Sequence, residues 1–203
     1  MRKIFLALLF ILAFLCAFAQ ERPYRIGIKG GINYIHLENY GGGYYADFEA
    51  KPGWSAGVLF EYTFGDFVKY TLSPELLFTQ SVTDVDLLYL TDNLATIQSV
   101  DLPVSFKVGL QLSRIFRPYC LGNIYGSYIF HNTGDFFEFL DIDNSSGVDN
   151  INQFYFGASA GLGFDIWKFQ VEGRYRWNLN RIITDDYKQL KQMGFELSCA
   201  FLF

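Results

Sequence analysis

Beyond its first twenty-odd residues the chain alternates between apolar and polar positions. In "FYFGASAGLGFDI", Phe154, Phe156, Ala158, Ala160, Leu162, Phe164 and Ile166 fall on one parity. Tyr155, Gly157, Ser159, Gly161, Gly163 and Asp165 fall on the other. A period of two is the mark of a strand with chemically different faces. The pattern returns at residues 24–37, 53–64, 69–80, 98–109, 117–130, 154–166, 169–179 and 193–203. Each segment is near the length that a tilted membrane strand needs, and no stretch sustains a helical period.

The connections predicted between these eight strands alternate in length. Those after the first, third, fifth and seventh run to about 15, 17, 23 and 11 residues, and those after the second, fourth and sixth to about 4, 7 and 2, as in barrels with short turns at one end and long loops at the other. The prediction is an all-β, eight-stranded antiparallel up-and-down transmembrane β-barrel.

Alternation alone does not say which face is outside, because a soluble barrel also alternates. Volume decides. The apolar parity carries about twenty aromatic rings, whereas the interior of an eight-stranded barrel only just accommodates side chains or one small ligand. The rings therefore face outward, towards lipid. The polar parity, rich in Gly and Ser, faces the lumen. On it stand Arg25, Lys29, Lys69, Lys107, Arg174 and Arg176 with Glu61, Glu75, Asp101, Asp165, Glu172 and Glu196. Buried charges need partners, and such a balanced set suits a structural charge network filling a closed interior.

The first nineteen residues stand apart. Met1-Arg2-Lys3 is a basic start, residues 4–18 are apolar, and Ala17-Phe18-Ala19 has the small-x-small form of a cleavage site. Residues 1–19 are expected to be a cleaved secretory signal peptide and residues 20–203 a single barrel domain. A lipoprotein signal is the rival reading of Cys16, but Leu15 stands where a small residue belongs. Loss of Arg2 and Lys3 leaves 14 basic against 21 acidic residues, a net charge of −7. With no basic stripe, nucleic acid is not an expected partner. Cys120 and Cys199 sit within predicted strands as small apolar residues. With His36 and His131 they form no metal motif, and no cofactor motif is present.

Several blocks, "YRIGIKGGINYIHL", "LSPELLFTQS", "SVDLPVSFKVG", "FGASAGLGFDIW" and "VEGRYRWNL", resemble the small outer-membrane β-barrel proteins of Bacteroidetes known as PorT-family or porin-family proteins. The resemblance spans nearly all of the mature chain. It implies a barrel similar to the membrane domains of OmpA and OmpX, in the outer membrane of a Gram-negative bacterium. It also implies a link to secretion, since the founding member is implicated in the type IX system. The final strand resembles the recognition signal of the β-barrel assembly machinery, with Phe203 and Phe201 as its aromatic residues. The expected partners are outer-membrane lipid, that machinery, and an envelope or secretion-complex protein.

Three functions compete. The first is a non-enzymatic structural, adhesive or assembly role through long extracellular loops. The second is a lipid-modifying or proteolytic enzyme using His36 or His131, both at predicted outer strand ends but without a nucleophile motif. The third is a small-solute channel, which a lumen packed with charges opposes. The acidic stretch 131–152 contains Asp141-x-Asp143-x-Ser145. Its Gly147 comes one position late for a calcium loop, and no Glu closes the loop. Phe136, Phe137, Phe139 and Leu140 in the same stretch could anchor at lipid, bind a partner or pack over the barrel mouth.

Overall fold

The computed structural model describes residues 23–39, 47–87, 90–133, 153–180, 183–185 and 188–203. Its strands are β1 (Tyr24–Asn39), β2 (Asp47–Phe64), β3 (Val68–Leu87), β4 (Leu90–Leu110), β5 (Phe116–Thr133), β6 (Phe154–Ile166), β7 (Phe169–Asn178), β8 (Ile183–Asp185) and β9 (Lys188–Leu202). Each long strand pairs antiparallel with its sequence neighbour, and β7 pairs with β9. β1 also pairs with β9, with Ile28 opposite Phe201 and Asn33 opposite Glu196, so the sheet closes on itself. Closure leaves no free edge in the wall, the condition for a sheet to sit in lipid. The protein is thus an eight-stranded antiparallel barrel. The short β8 is an appendage that pairs with β9 alone, from Ile183 opposite Leu190 to Asp185 opposite Lys188.

The faces follow the alternation. Ile28 is 55% exposed, Ile124 68% and Phe195 65%, while Glu61, Asp101 and Ser105 on the other parity have no exposure. This inverts the soluble pattern, since large apolar side chains form the outer surface and polar ones the core. A few lumen positions are apolar, with Leu59, Ala200 and Leu202 clustering where β1, β2 and β9 meet.

Three connections differ from the sequence expectation, the first because β2 begins at Asp47 and pairs with β3 from Asp47 opposite Asp86 to Lys51 opposite Val82. Of residues 81–97, expected to lie in a loop, 81–87 and 90–97 continue the ladder of β3 and β4 from Ser81 opposite Ile97 to Leu87 opposite Leu90. Their sequence, "SVTDVDLLYLTDNLATI", mixes polar and apolar residues on both parities. Ser81, Thr83 and Ile97 are buried on the inward parity, but they mix polar and apolar types, so the composition carries no alternation to read. The connection after β7 likewise holds the small β8–β9 hairpin. At the opposite end the turns are short: 65–67, 111–115 and 167–168. Gly65 has φ +92° and Trp167 φ +58°. The first is routine for glycine, while the second is rare for a bulky side chain.

Candidate functional site: an ion-paired lumen

The inward parity of all eight strands of the wall, β1 to β7 and β9, delivers cations or carboxylates at staggered heights. Near the short-turn end, Arg25 Nη2 reaches Glu61 Oε2 at 2.6 Å and Asp165 Oδ2 at 3.0 Å. Arg117 lies on the same Asp165 oxygen at 2.5 Å and donates to Thr71 Oγ1 at 3.1 Å. One layer further, Lys107 Nζ bridges Glu61 at 2.8 Å and Glu172 at 2.6 Å. Lys29 pairs with Glu172 and, at 3.0 Å, with Glu75. Arg174 Nη2 holds Glu75 and Glu172, both at 3.1 Å. Towards the other end, Arg176 binds Asp101 at 2.7 Å and Glu196 at 3.3 Å, and Asp101 also accepts from Ser99 and Thr79.

These contacts join six cations and six carboxylates into one network that runs most of the length of the lumen. Neutral donors complete it. Gln170 Nε2 donates to Glu61 and Asp165, and Tyr119 Oη donates to Glu172 at 2.9 Å. Each ion loses several kcal/mol of hydration here, which only close, multiply hydrogen-bonded pairing offsets. Lys107, Glu61, Glu172 and Asp101 are almost wholly inaccessible, so their side chains fill the cross-section at these heights.

Eleven of the twelve charged residues singled out from the sequence meet in this network. Lys69 does not. It sits two residues beyond the 65–67 turn and donates to the Gly65 carbonyl oxygen at 2.7 Å. Arg117 takes the sixth cationic place. Its signal was present in the sequence, as it shares parity with Asn123 and Ser127, but it opens its strand and reads as a flanking residue. Tyr119 and Gln170 were also missed, because neutral residues carry no charge signal.

His36 lies in β1 opposite Met193 and His131 in β5 opposite Gln98, four strands apart and so on opposite walls. Cys120 and Cys199 are free and exposed on the outer face. The signal-peptide residues 1–19 and most of the 131–152 stretch, with its Asp141–Ser145 run and its phenylalanines, lie outside the described residues.

A closed antiparallel wall with an apolar outside and a charged, paired inside defines a transmembrane β-barrel. The chain belongs to the family described as outer membrane protein beta-barrel domain, whose model matches residues 18–184, and it is an outer-membrane protein. No curated protein matches it. Among solved structures it is similar to Ail, the attachment invasion locus protein of Yersinia pestis, at 13% identity and a TM-score of 0.41, covering 90% of this chain and 100% of that one. It is also similar to Neisserial surface protein A, at 10% identity and a TM-score of 0.45, covering 88% of this chain and 97% of that one.

Proposed function

We propose that the protein is a non-enzymatic component of the outer membrane that acts through its extracellular strand extensions and loops, in attachment or in assembling an envelope complex. The observation that carries this reading is the filled lumen. Every lumen carboxylate in the network is engaged by at least one cation, which leaves none poised as a general base, and the side chains occupy the space a solute would need. Contacts with partners are then left to the parts outside the bilayer. There the β3–β4 ladder runs on to Leu87 opposite Leu90, and Lys51 on β2 reaches across to Asp84 on β3 at 3.3 Å.

The same reading includes export by cleavage of residues 1–19 and insertion by the β-barrel assembly machinery through the strand that carries Phe201 and Phe203. It takes a secretion-complex protein as one candidate partner, on the resemblance to PorT-family proteins. The test is photocrosslinking from the 88–89 connection in native outer membranes, followed by co-purification. A discrete protein or glycan adduct supports the proposal. Adducts to bulk lipid alone, with enzymatic turnover of that lipid by the purified barrel, would replace it with the hydrolase reading.

A further inference from the structure

The mouth of the barrel at the short-turn end contains a cleft of about 300 Å³. Its lining includes four cations, Arg25, Lys69, Arg114 and Arg117, and one carboxylate, Asp165. Deeper in the lumen, cations and carboxylates balance and pair. At this mouth the balance breaks. Lys69 binds only a carbonyl oxygen, and Arg114 makes no ion pair among the described residues.

The carboxylate that could neutralise them is already engaged. Asp165 Oδ2 accepts from Arg25 and Arg117, and its Oδ1 accepts from Gln170 at 3.0 Å. Arg25 makes both of its ion pairs through Nη2. Its other guanidinium nitrogens have no partner among the described residues, and its side chain is 27% exposed. The floor is therefore a preset guanidinium pair with donors to spare, flanked by two cations that carry no ion pair among the described residues.

One wall is fixed at a conformational cost. Trp167 holds φ +58°, unfavourable for a bulky side chain, and its N–H donates to the Ile115 carbonyl oxygen at 2.7 Å. Both residues line the cleft. Backbone strain of this kind gathers at ligand clamps, where the surroundings over-determine it.

We propose that this periplasmic mouth binds a phosphate-class oxyanion, held by Lys69 and Arg114 over the floor set by Arg25, Arg117 and Asp165. Guanidinium groups match the planar spread of phosphate oxygens, and Lys69 adds a point charge. The cleft is roomy enough for the anion with part of what it is attached to. The anion can come from solution or from the headgroup of an inner-leaflet phospholipid, since the short turns stand at that interface.

The experiment titrates the full mature protein, refolded in a neutral maltoside detergent, by calorimetry. One arm uses inorganic phosphate and the other monomeric dihexanoyl phosphatidylglycerol. Saturable binding of one equivalent is expected, weakened about tenfold or more in the Lys69→Gln/Arg114→Gln double variant and partly in Arg114→Gln alone. Comparable affinities in the two arms identify a soluble anion as sufficient, and tighter lipid binding identifies the headgroup. Neither side chain belongs to the lumen network, so the variants should keep the wild-type heat-modifiable gel shift. Absence of saturable binding in both arms would overturn the proposal, as would unchanged affinity in the folded variants. Tighter binding of a hexaglutamate peptide than of either phosphate ligand would also overturn it.

Discussion

Tyr119 on β5 lies directly over Gly163 on β6, its register partner, and reaches past it to donate to Glu172 on β7 at 2.9 Å. Tyr125 repeats the device over Gly157 and donates to Asn178 at 2.6 Å. A Cβ on either glycine would run into the tyrosine ring. The lumen glycines of β6 thus provide the room that lets the network cross a strand. Gly163→Ala and Gly157→Ala should each destabilise the barrel by about 1–3 kcal/mol through overpacking. Gly122 and Gly173 have open space where a Cβ would stand, and alanine there should be neutral or slightly stabilising. Urea unfolding midpoints of the four variants in lipid vesicles check this, and equal losses at all four sites would contradict it.

Arg176 bridges Asp101 and Glu196, whereas Lys69 stands outside the network. Arg176→Met removes the cation paired with buried Asp101 and one of the two paired with Glu196, and should cost about 3–5 kcal/mol. Lys69→Gln should stay within about 0.5 kcal/mol. Both values come from the same unfolding assay, and a reversed order would show that the network is wrongly drawn.

The closure between β1 and β9 sets Gly30 opposite Cys199, and a Cβ on Gly30 would meet only the Ser55 carbonyl oxygen, at 3.8 Å. Directly opposed antiparallel positions lie within disulfide reach. Gly30→Cys should therefore form an oxidant-dependent cross-link to Cys199, seen as a reducible mobility change on gels. Cys199→Ala should abolish it. Failure to cross-link in the folded protein would mean that the two strands are not neighbours.

Ile124 lies midway along β5 and is 68% exposed on the outer face. Ile124→Arg should cost about 2–4 kcal/mol if that face meets the lipid midplane. A negligible loss in vesicles would place the position in water.

Much of this was legible in the sequence, and the reasons are physical. Lipid on one side and a crowded polar lumen on the other force strict alternation, so β6 could be drawn from Phe154 to Ile166 without error. Where that constraint lapses the signal lapses too. Residues 81–87 and 90–97 read as a loop although they form a ladder, because polar and apolar residues there fall on both parities. Charged lumen residues announce themselves by sitting among apolar neighbours, as Glu61 and Asp101 do. Pairing partners do not, since Lys29 meets Glu75 and Glu172 only through a register that a single strand does not encode. The exchange of Lys69 for Arg117 has the same origin. Both lie on the inward parity near strand ends, and only three-dimensional height separates a rim cation from a buried one.

Single-channel recording tests most directly whether the lumen is closed by its own side chains. The refolded protein should give no sustained conductance in planar bilayers, because Lys107, Glu61 and Glu172 fill the bore between them. A steady, reproducible open state of the wild-type barrel would contradict the closed lumen and reinstate the channel reading.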